Sequence, residues 1–145
     1  MKVFSISLVL LLTPLFFSSC TKEKEATSPS SPVSNALPKG VGPISELKLV
    51  ALDSALAKQG QATFTAKCSA CHKIDERYVG PALKGVTKRR APEWIMNMAL
   101  NPAEMTEKDE TAKGLLGEYM TQMSFQNVSQ AEVRSILEYF RQNDQ

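Results

Sequence analysis

Two cysteines and a histidine within five residues limit this chain more than any other feature of its sequence. Residues 68–72 read CSACH, and they contain two of the three cysteines and the only histidine of the 145-residue chain. A chain of this length has room for one domain with a modest core. We therefore expect a single small domain whose chemistry is centred on this segment.

The spacing within the segment is the pattern by which haem is attached to protein. Each thiol adds to one vinyl group of the porphyrin, and the imidazole that follows the second thiol binds the iron from the same side. The pattern predicts one covalent haem c, with thioether bonds to Cys68 and Cys71 and with His72 as an axial ligand of the iron.

Three other uses of the cysteines compete with haem attachment. A redox-active dithiol belongs at a helix start in a βαβ setting, and the sequence predicts no such setting. A zinc site needs four ligands, usually in two separated pairs, and no second cluster follows. A disulfide between Cys68 and Cys71 is possible in an oxidising compartment, but it leaves His72 unexplained. Haem attachment accounts for all three residues.

The iron needs a second axial ligand, and no other histidine exists to supply it. Methionine is the natural alternative. The chain beyond residue 45 offers Met96, Met98, Met105, Met120 and Met123. The first two lie in a predicted helix, where core filling is the better interpretation. We predict Met123, which lies in a loop before the last helix. Met120 is only the second choice, because it continues the apolar side of the preceding helix.

The domain is predicted to be all-α. Apolar residues recur at helical spacing in several segments, and no strand-rich segment, Gly-rich phosphate loop or internal repeat is visible. Capping residues and prolines mark the ends of the helices. About four helices are predicted: from Asp53 to the cysteines, from Pro92 to Asn101, over about 109–119, and from the capping box at Ser129 onwards.

The N-terminus has the features of an export signal. A positive start is followed by a stretch that is almost wholly apolar as far as Phe17, which is typical of a secretory signal peptide. The segment Phe17-Ser18-Ser19-Cys20 resembles the lipobox of bacterial lipoproteins. The resemblance implies that residues 1–19 are removed and that Cys20 is acylated.

A tether is predicted to separate this cysteine from the domain. Residues 20–45 contain the lipidated Cys20 followed by charged residues, Ser, Pro and Gly, with little that could be buried. Such a segment cannot offset its own ordering entropy, so we expect it to be disordered. The folded domain is expected to span residues 46–145.

Charge excludes nucleic acid as a partner. The chain has 17 Lys and Arg against 15 Asp and Glu, and binding to phosphates requires clustered cations. Residues 46–145 have 13 basic and 13 acidic residues, so strong adhesion of the domain itself to a membrane is not expected.

From about residue 53 to residue 141 the chain resembles a class I c-type cytochrome. The resemblance rests on the helix before CSACH, on Gly80-Pro81-Ala82-Leu83 after it, and on a loop methionine before the C-terminal helix. It implies a small fold around one haem, in which Gly60 lies where the first and last helices cross. It also implies that the Pro81 carbonyl accepts a hydrogen bond from the ring N–H of His72.

Two further features of the sequence bear on the haem site. The indole N–H of Trp94 is a candidate donor to a haem propionate, with a core aromatic as the alternative. Members of the family often have Met-Pro at the axial methionine, whereas this chain has Met123-Ser124, and a loop without the proline would hold the ligand less rigidly.

The expected function is the transfer of single electrons between redox proteins. With both axial positions occupied, the iron has no open site, so we expect a carrier and not an enzyme. We expect a monomer, anchored by its lipid in the bacterial periplasm. The alternative is a haem-based sensor of small ligands, or a peroxidase-like enzyme, in which Met123 is displaced.

Overall fold

The computed structural model describes residues 37–145, which belong to one compact unit. The predicted signal peptide, Cys20 and the first part of the tether lie outside the described residues. Six helices are present in residues 37–145: α1 (Ser54–Lys67), α2 (Val86–Arg89), α3 (Pro92–Leu100), α4 (Pro102–Lys108), α5 (Glu110–Tyr119) and α6 (Gln130–Asn143). This part of the chain contains no strand, so the prediction of an all-α fold is confirmed.

The four predicted helices correspond to α1, α3, α5 and α6, and their caps follow the sequence pattern. The Asp53 carboxylate accepts a hydrogen bond from the Leu56 N–H at 3.0 Å, and Ser129 and Glu132 form a reciprocal capping box. The additional helices α2 and α4 have four and seven residues, too few for a periodic pattern. Pro102 is the first residue of α4, because the fixed φ of proline suits that position.

Helices α1 and α6 cross closely at Gly60. A β-carbon on Gly60 would overlap the backbone carbonyl of Ser135, so only glycine permits this separation of the two backbones. One turn further along α1, the Phe64 ring lies 5.6 Å from the ring of Tyr139 and 5.6 Å from that of Phe140, measured between centroids. The expected crossing at Gly60 is therefore observed, and aromatic side chains fill the contact beside it.

The end of the predicted tether, residues 37–45, is folded onto the domain in the structure. Residues 37–47, which we call the strap, lie against α3 and α4. The buried amide of Asn97 accepts a hydrogen bond from the Ile44 N–H at 2.9 Å and donates to the carbonyl oxygens of Ile44 and Lys39 at 2.9 and 3.1 Å. The Ile44 side chain is only 4% exposed. One buried polar side chain thus supplies the partners that an irregular backbone segment needs.

Met105 is the second contact of the strap. The Val41 N–H lies 3.0 Å from the Met105 sulfur. Gly40 has a positive φ of 73°, and a β-carbon there would lie 2.7 Å from the Met105 sulfur. Met105 is fully buried. It therefore fills the space between α4 and the strap.

Among the described residues, none of the helices combines the length and apolar character that crossing a membrane requires.

Candidate cofactor site

The cysteines lie at the C-terminal end of α1. Cys68 is the C-cap residue of this helix, and the N–H groups of Cys68 and Ser69 both donate to the Phe64 carbonyl. The N–H groups of Cys71 and His72 then return to the Cys68 carbonyl at 3.1 and 3.0 Å. This tight turn places both thiols and the imidazole on the lining of one cavity.

Cys68 and Cys71 are not joined by a disulfide bond. Burial raises the pKa of the Cys68 thiol, and the neighbouring Lys67 ammonium opposes only part of this effect. Thiol–disulfide exchange requires the thiolate, and a reactive dithiol needs a lowered pKa. The environment of Cys68 therefore does not favour the alternative of a redox-active dithiol.

His72 is oriented by the segment that follows it. Its Nδ1 lies 3.3 Å from the Pro81 carbonyl oxygen, which is the contact that the family resemblance implies. If Nδ1 carries the proton for this bond, the Nε2 lone pair is left to bind a metal. Burial lowers the pKa of His72, and the bond to Pro81 opposes part of that shift, so the imidazole is held in the neutral form that a metal requires.

Gly80 is a site residue whose role the sequence did not reveal. A β-carbon at this position would lie 2.8 Å from Nδ1 of His72 and closer still to the ring carbon beside it. The Gly80 N–H also donates to the Cys71 carbonyl at 2.9 Å. The glycine therefore allows the backbone to pass directly against the imidazole. In the sequence, the dipeptide Gly80-Pro81 could have indicated this close approach of the backbone to His72.

The cavity has a volume of about 530 Å³, which is in the range of sites that hold large organic ligands. Its walls are mainly apolar side chains from α3, α5 and α6, among them Ile95, Leu115, Leu116 and Ile136. Such a lining suits the apolar faces of a porphyrin.

Two methionines line this cavity. They are Met123, which is partly buried in the loop between α5 and α6, and Met98 of α3. Met120, the second choice from the sequence, is 84% exposed at the C-terminal end of α5 and has a φ of 52°. Met96 and Met105 are buried but do not line the cavity. The structure thus places Met123 beside the cavity with His72, and it adds Met98, which had been interpreted as core filling.

The charged residues that line the cavity are all basic. They are Lys67, Arg77, Lys84, Arg89 and Arg90, and no Asp or Glu of residues 37–145 joins them. The first three each form an ion pair, with Glu132, Glu118 and Asp75 respectively. Positive charge concentrated around an apolar cavity fits a porphyrin, which carries two propionates on an apolar ring.

Arg89 and Arg90 differ from the other three because neither forms an ion pair with a carboxylate in the described part of the chain. Arg89 donates to the carbonyl oxygens of Lys84 and Ala82, and the Arg90 guanidinium lies 5.2 Å from the centroid of the Trp94 ring. These two guanidiniums are the better candidates for contact with a propionate.

Trp94 lines the cavity, and its indole N–H already has a partner within the protein. Its indole N–H donates to the Asp109 carboxylate at 3.0 Å, and the same oxygen accepts the Ala112 N–H at 2.9 Å, which caps α5. Trp94 is only 5% exposed. The single indole donor is therefore already used to join α3 to α5, and a propionate contact would require this bond to break.

An all-helical domain of this size, with CSACH at the end of its first helix and an apolar, positively charged cavity beside it, defines a small c-type cytochrome. A model of the cytochrome c family matches residues 57–144. The chain belongs to the cytochrome c family. Haem c, covalently bound, is its cofactor, and the thiols of Cys68 and Cys71 are in place for the two thioether bonds.

Several known proteins are similar to this chain. The structure of cytochrome c from Rhodothermus marinus is 47% identical with a TM-score of 0.68, and the alignment covers 70% of this chain and 88% of that one. The cytochrome c domain of a Pseudomonas putida protein is 30% identical with a TM-score of 0.53, covering 57% and 85%. Cytochrome c-551 of Stutzerimonas stutzeri is 49% identical over 43 residues, 29% of this chain and 41% of that protein. The match therefore spans less than half the length of this curated relative.

Proposed function

We propose that this protein carries single electrons through one haem whose iron is bound by His72 and Met123. The observation that carries the proposal is the placement of these two side chains on one apolar cavity, directly beside Cys68 and Cys71. Membership of the cytochrome c family supports a haem-based electron carrier. When bound, haem supplies a one-electron iron couple, and a thioether ligand raises its potential relative to a bis-imidazole site.

The residues around the cavity have distinct roles in this proposal. Pro81 fixes the orientation of the His72 ring and increases its basicity as a ligand. Apolar side chains exclude water, so that the charge change on electron transfer reorganises few solvent molecules. Arg89 and Arg90 offset the charge of the propionates. If His72 and Met123 both bound the iron, no position would remain for a substrate, and the protein would act as a carrier between redox proteins and not as an enzyme.

The axial ligand is tested by comparing Met123→Ala with Met98→Ala and Met120→Ala in haem-loaded protein. The ferric form of a Met-ligated haem has a weak absorbance near the red edge of the spectrum. We expect Met123→Ala to abolish this band and the other two variants to retain it. Loss of the band in Met98→Ala or Met120→Ala alone would identify the other methionine as the ligand.

The same preparation tests the alternative function. Carbon monoxide binds ferrous haem only where an axial position is open or easily opened. We expect no immediate binding to the reduced wild-type protein. Immediate binding would favour a sensor of small ligands, or a peroxidase-like enzyme, with a displaceable Met123.

We further propose that the protein is a monomeric, membrane-anchored lipoprotein of the bacterial periplasm. Support comes from the apolar N-terminal segment and from the small residues that precede Cys20. Each buried methylene of an acyl chain adds about 0.8 kcal/mol to membrane binding, so several chains on one residue would anchor the domain firmly. Redox proteins at the same membrane are the proposed partners.

Cys20→Ala in the native host tests the anchor. We expect the wild-type protein to partition into the detergent phase and Cys20→Ala to move to the aqueous phase or to remain uncleaved. Mass spectrometry of the wild-type protein should find an acylated Cys20 at the N-terminus. An N-terminus elsewhere, without acylation, would show an ordinary signal peptide.

A further inference from the structure

The segment that carries Met123 has no regular structure of its own. Residues 120–129 form neither helix nor strand between α5 and α6. Most of their side chains are exposed, with Val128 as the buried exception. Ser124 stands where a proline would have stiffened the chain. Something else must therefore hold this loop if Met123 is to keep one position.

Gln122, the residue directly before Met123, makes a contact that holds the loop. The Gln122 side-chain oxygen lies 3.1 Å from the hydroxyl of Thr106 on α4. Its amide nitrogen lies 3.1 Å from the Met123 carbonyl oxygen and 3.5 Å from that of Pro102. One side chain thus joins the backbone at Met123 to α4. Both Gln122 and Thr106 line the cavity.

Thr106 is held firmly enough to serve as the support. It is only 9% exposed, and its hydroxyl lies 2.9 Å from the carbonyl oxygens of both Pro102 and Ala103 within α4. The hydroxyl has one proton, so it donates to one of its three acceptors at a time. Helix α4 itself is packed through the fully buried Met105 against the strap.

The other end of the loop has a separate contact. The Lys67 ammonium donates to the Asn127 carbonyl at 3.0 Å and pairs with Glu132 at 2.9 Å. Asn127 adopts a positive φ of 49° at this point. The loop is thus attached at residue 127 to α1 and at residue 122 to α4, with Met123 next to the second attachment.

We propose that Gln122 and Thr106 are positioning residues that hold Met123 against the cavity and do the work of the missing proline. The proposal rests on the assignment of Met123 as the axial ligand. A loop held in its bound geometry loses less entropy when the ligand bond forms. We call the contact between Gln122 and Thr106 the brace. Breaking the brace therefore makes the sixth position of the iron easier to open, without changing either axial ligand.

Exogenous imidazole, titrated into the ferric haem-loaded protein, measures how easily that position opens. We expect Thr106→Val and Gln122→Ala each to raise the apparent affinity for imidazole about fivefold, the equivalent of one net hydrogen bond. Because both changes break the same contact, the double variant should gain little beyond either single one. Thr106→Ser keeps the hydroxyl and should restore the wild-type affinity.

Gln126→Ala is the matched control in the same loop, because within residues 37–145 the Gln126 amide bonds only to Ser124. Unchanged imidazole affinity in both brace variants, or an equal rise in Gln126→Ala, would overturn the proposal. Met123→Ala distinguishes a failure of the brace proposal from a failure of the axial-ligand assignment. If Met123→Ala retains the red-edge band, the ligand assignment is wrong and the brace proposal falls with it; if the band is lost and the brace variants behave like wild type, only the brace is wrong.

Discussion

Replacing Gly60 by alanine tests the helix crossing on which the domain is built. The new methyl group would overlap the Ser135 backbone carbonyl, and backbone cannot rotate away as a side chain can. Overpacking of this kind typically costs about 1–3 kcal/mol. Alanine also favours a helix interior over glycine by about 0.5–1 kcal/mol. If α6 moves away, the contacts of Phe64 with Tyr139 and Phe140 weaken as well, and we expect a net loss of about 2 kcal/mol in the free energy of unfolding.

Urea unfolding of the haem-loaded protein, followed by circular dichroism, measures this loss. For a domain of about 100 residues, 2 kcal/mol corresponds to a decrease of about 10 °C in Tm. Gly114→Ala and Gly117→Ala on α5 are matched controls, because within residues 37–145 a β-carbon at either position would have no atom within 4 Å apart from its chain neighbours and the nearby backbone of its own helix. We expect both controls to be as stable as wild type or slightly more stable. A Gly60→Ala protein with wild-type stability would refute the close crossing.

Three further outcomes are expected. Asn97→Ala should lower the free energy of unfolding by about 2 kcal/mol in urea, because it removes three hydrogen bonds to the strap; an unchanged midpoint would show that the strap is not held there. Gly80→Ala should raise the high-spin fraction of the ferric protein, because its β-carbon would displace the His72 ring; a wild-type spectrum would contradict this. The hydrogen bond from Lys67, followed by those from Ser129, lowers the pKa of Glu132 from 4.5 to about 2. A lowered pKa stabilises the folded state above pH 4.5, and this stabilisation is lost as the pH falls towards 2. Glu132→Gln should therefore lose less stability than wild type over that range, and an equal loss in both proteins would contradict the ion pair.

Local chemistry explains the parts of the fold that could be predicted. Asp53 and the Ser129 capping box mark helix starts, because unpaired N–H groups need a side-chain oxygen nearby in the chain. The four longer helices have enough turns for an apolar pattern to be visible. In contrast, α2 and α4 are too short for such a pattern, and the prediction of about four helices missed them.

The strap could not be predicted because its partners are distant in the sequence. Asn97 bonds to the carbonyl of Lys39 across 58 positions, and an isolated asparagine in a helix has no signature of such a role. Composition alone indicated disorder up to residue 45. The indole of Trp94 is a similar case, since its acceptor, Asp109, lies 15 positions away in the sequence.

The haem-attachment motif was evident from the sequence because its chemistry is contained in five consecutive residues. Two thiols and an imidazole at that spacing define the covalent cofactor before any folding is considered. The placement of Met123 depends on tertiary structure, because this side chain reaches the cavity that His72 also lines only when α4, α5 and the loop are packed together. Spacing along the chain therefore identified the cofactor. Tertiary packing placed Met123 and Met98 at the cavity and left Met120 in solvent. It also brought Thr106 within hydrogen-bond distance of Gln122.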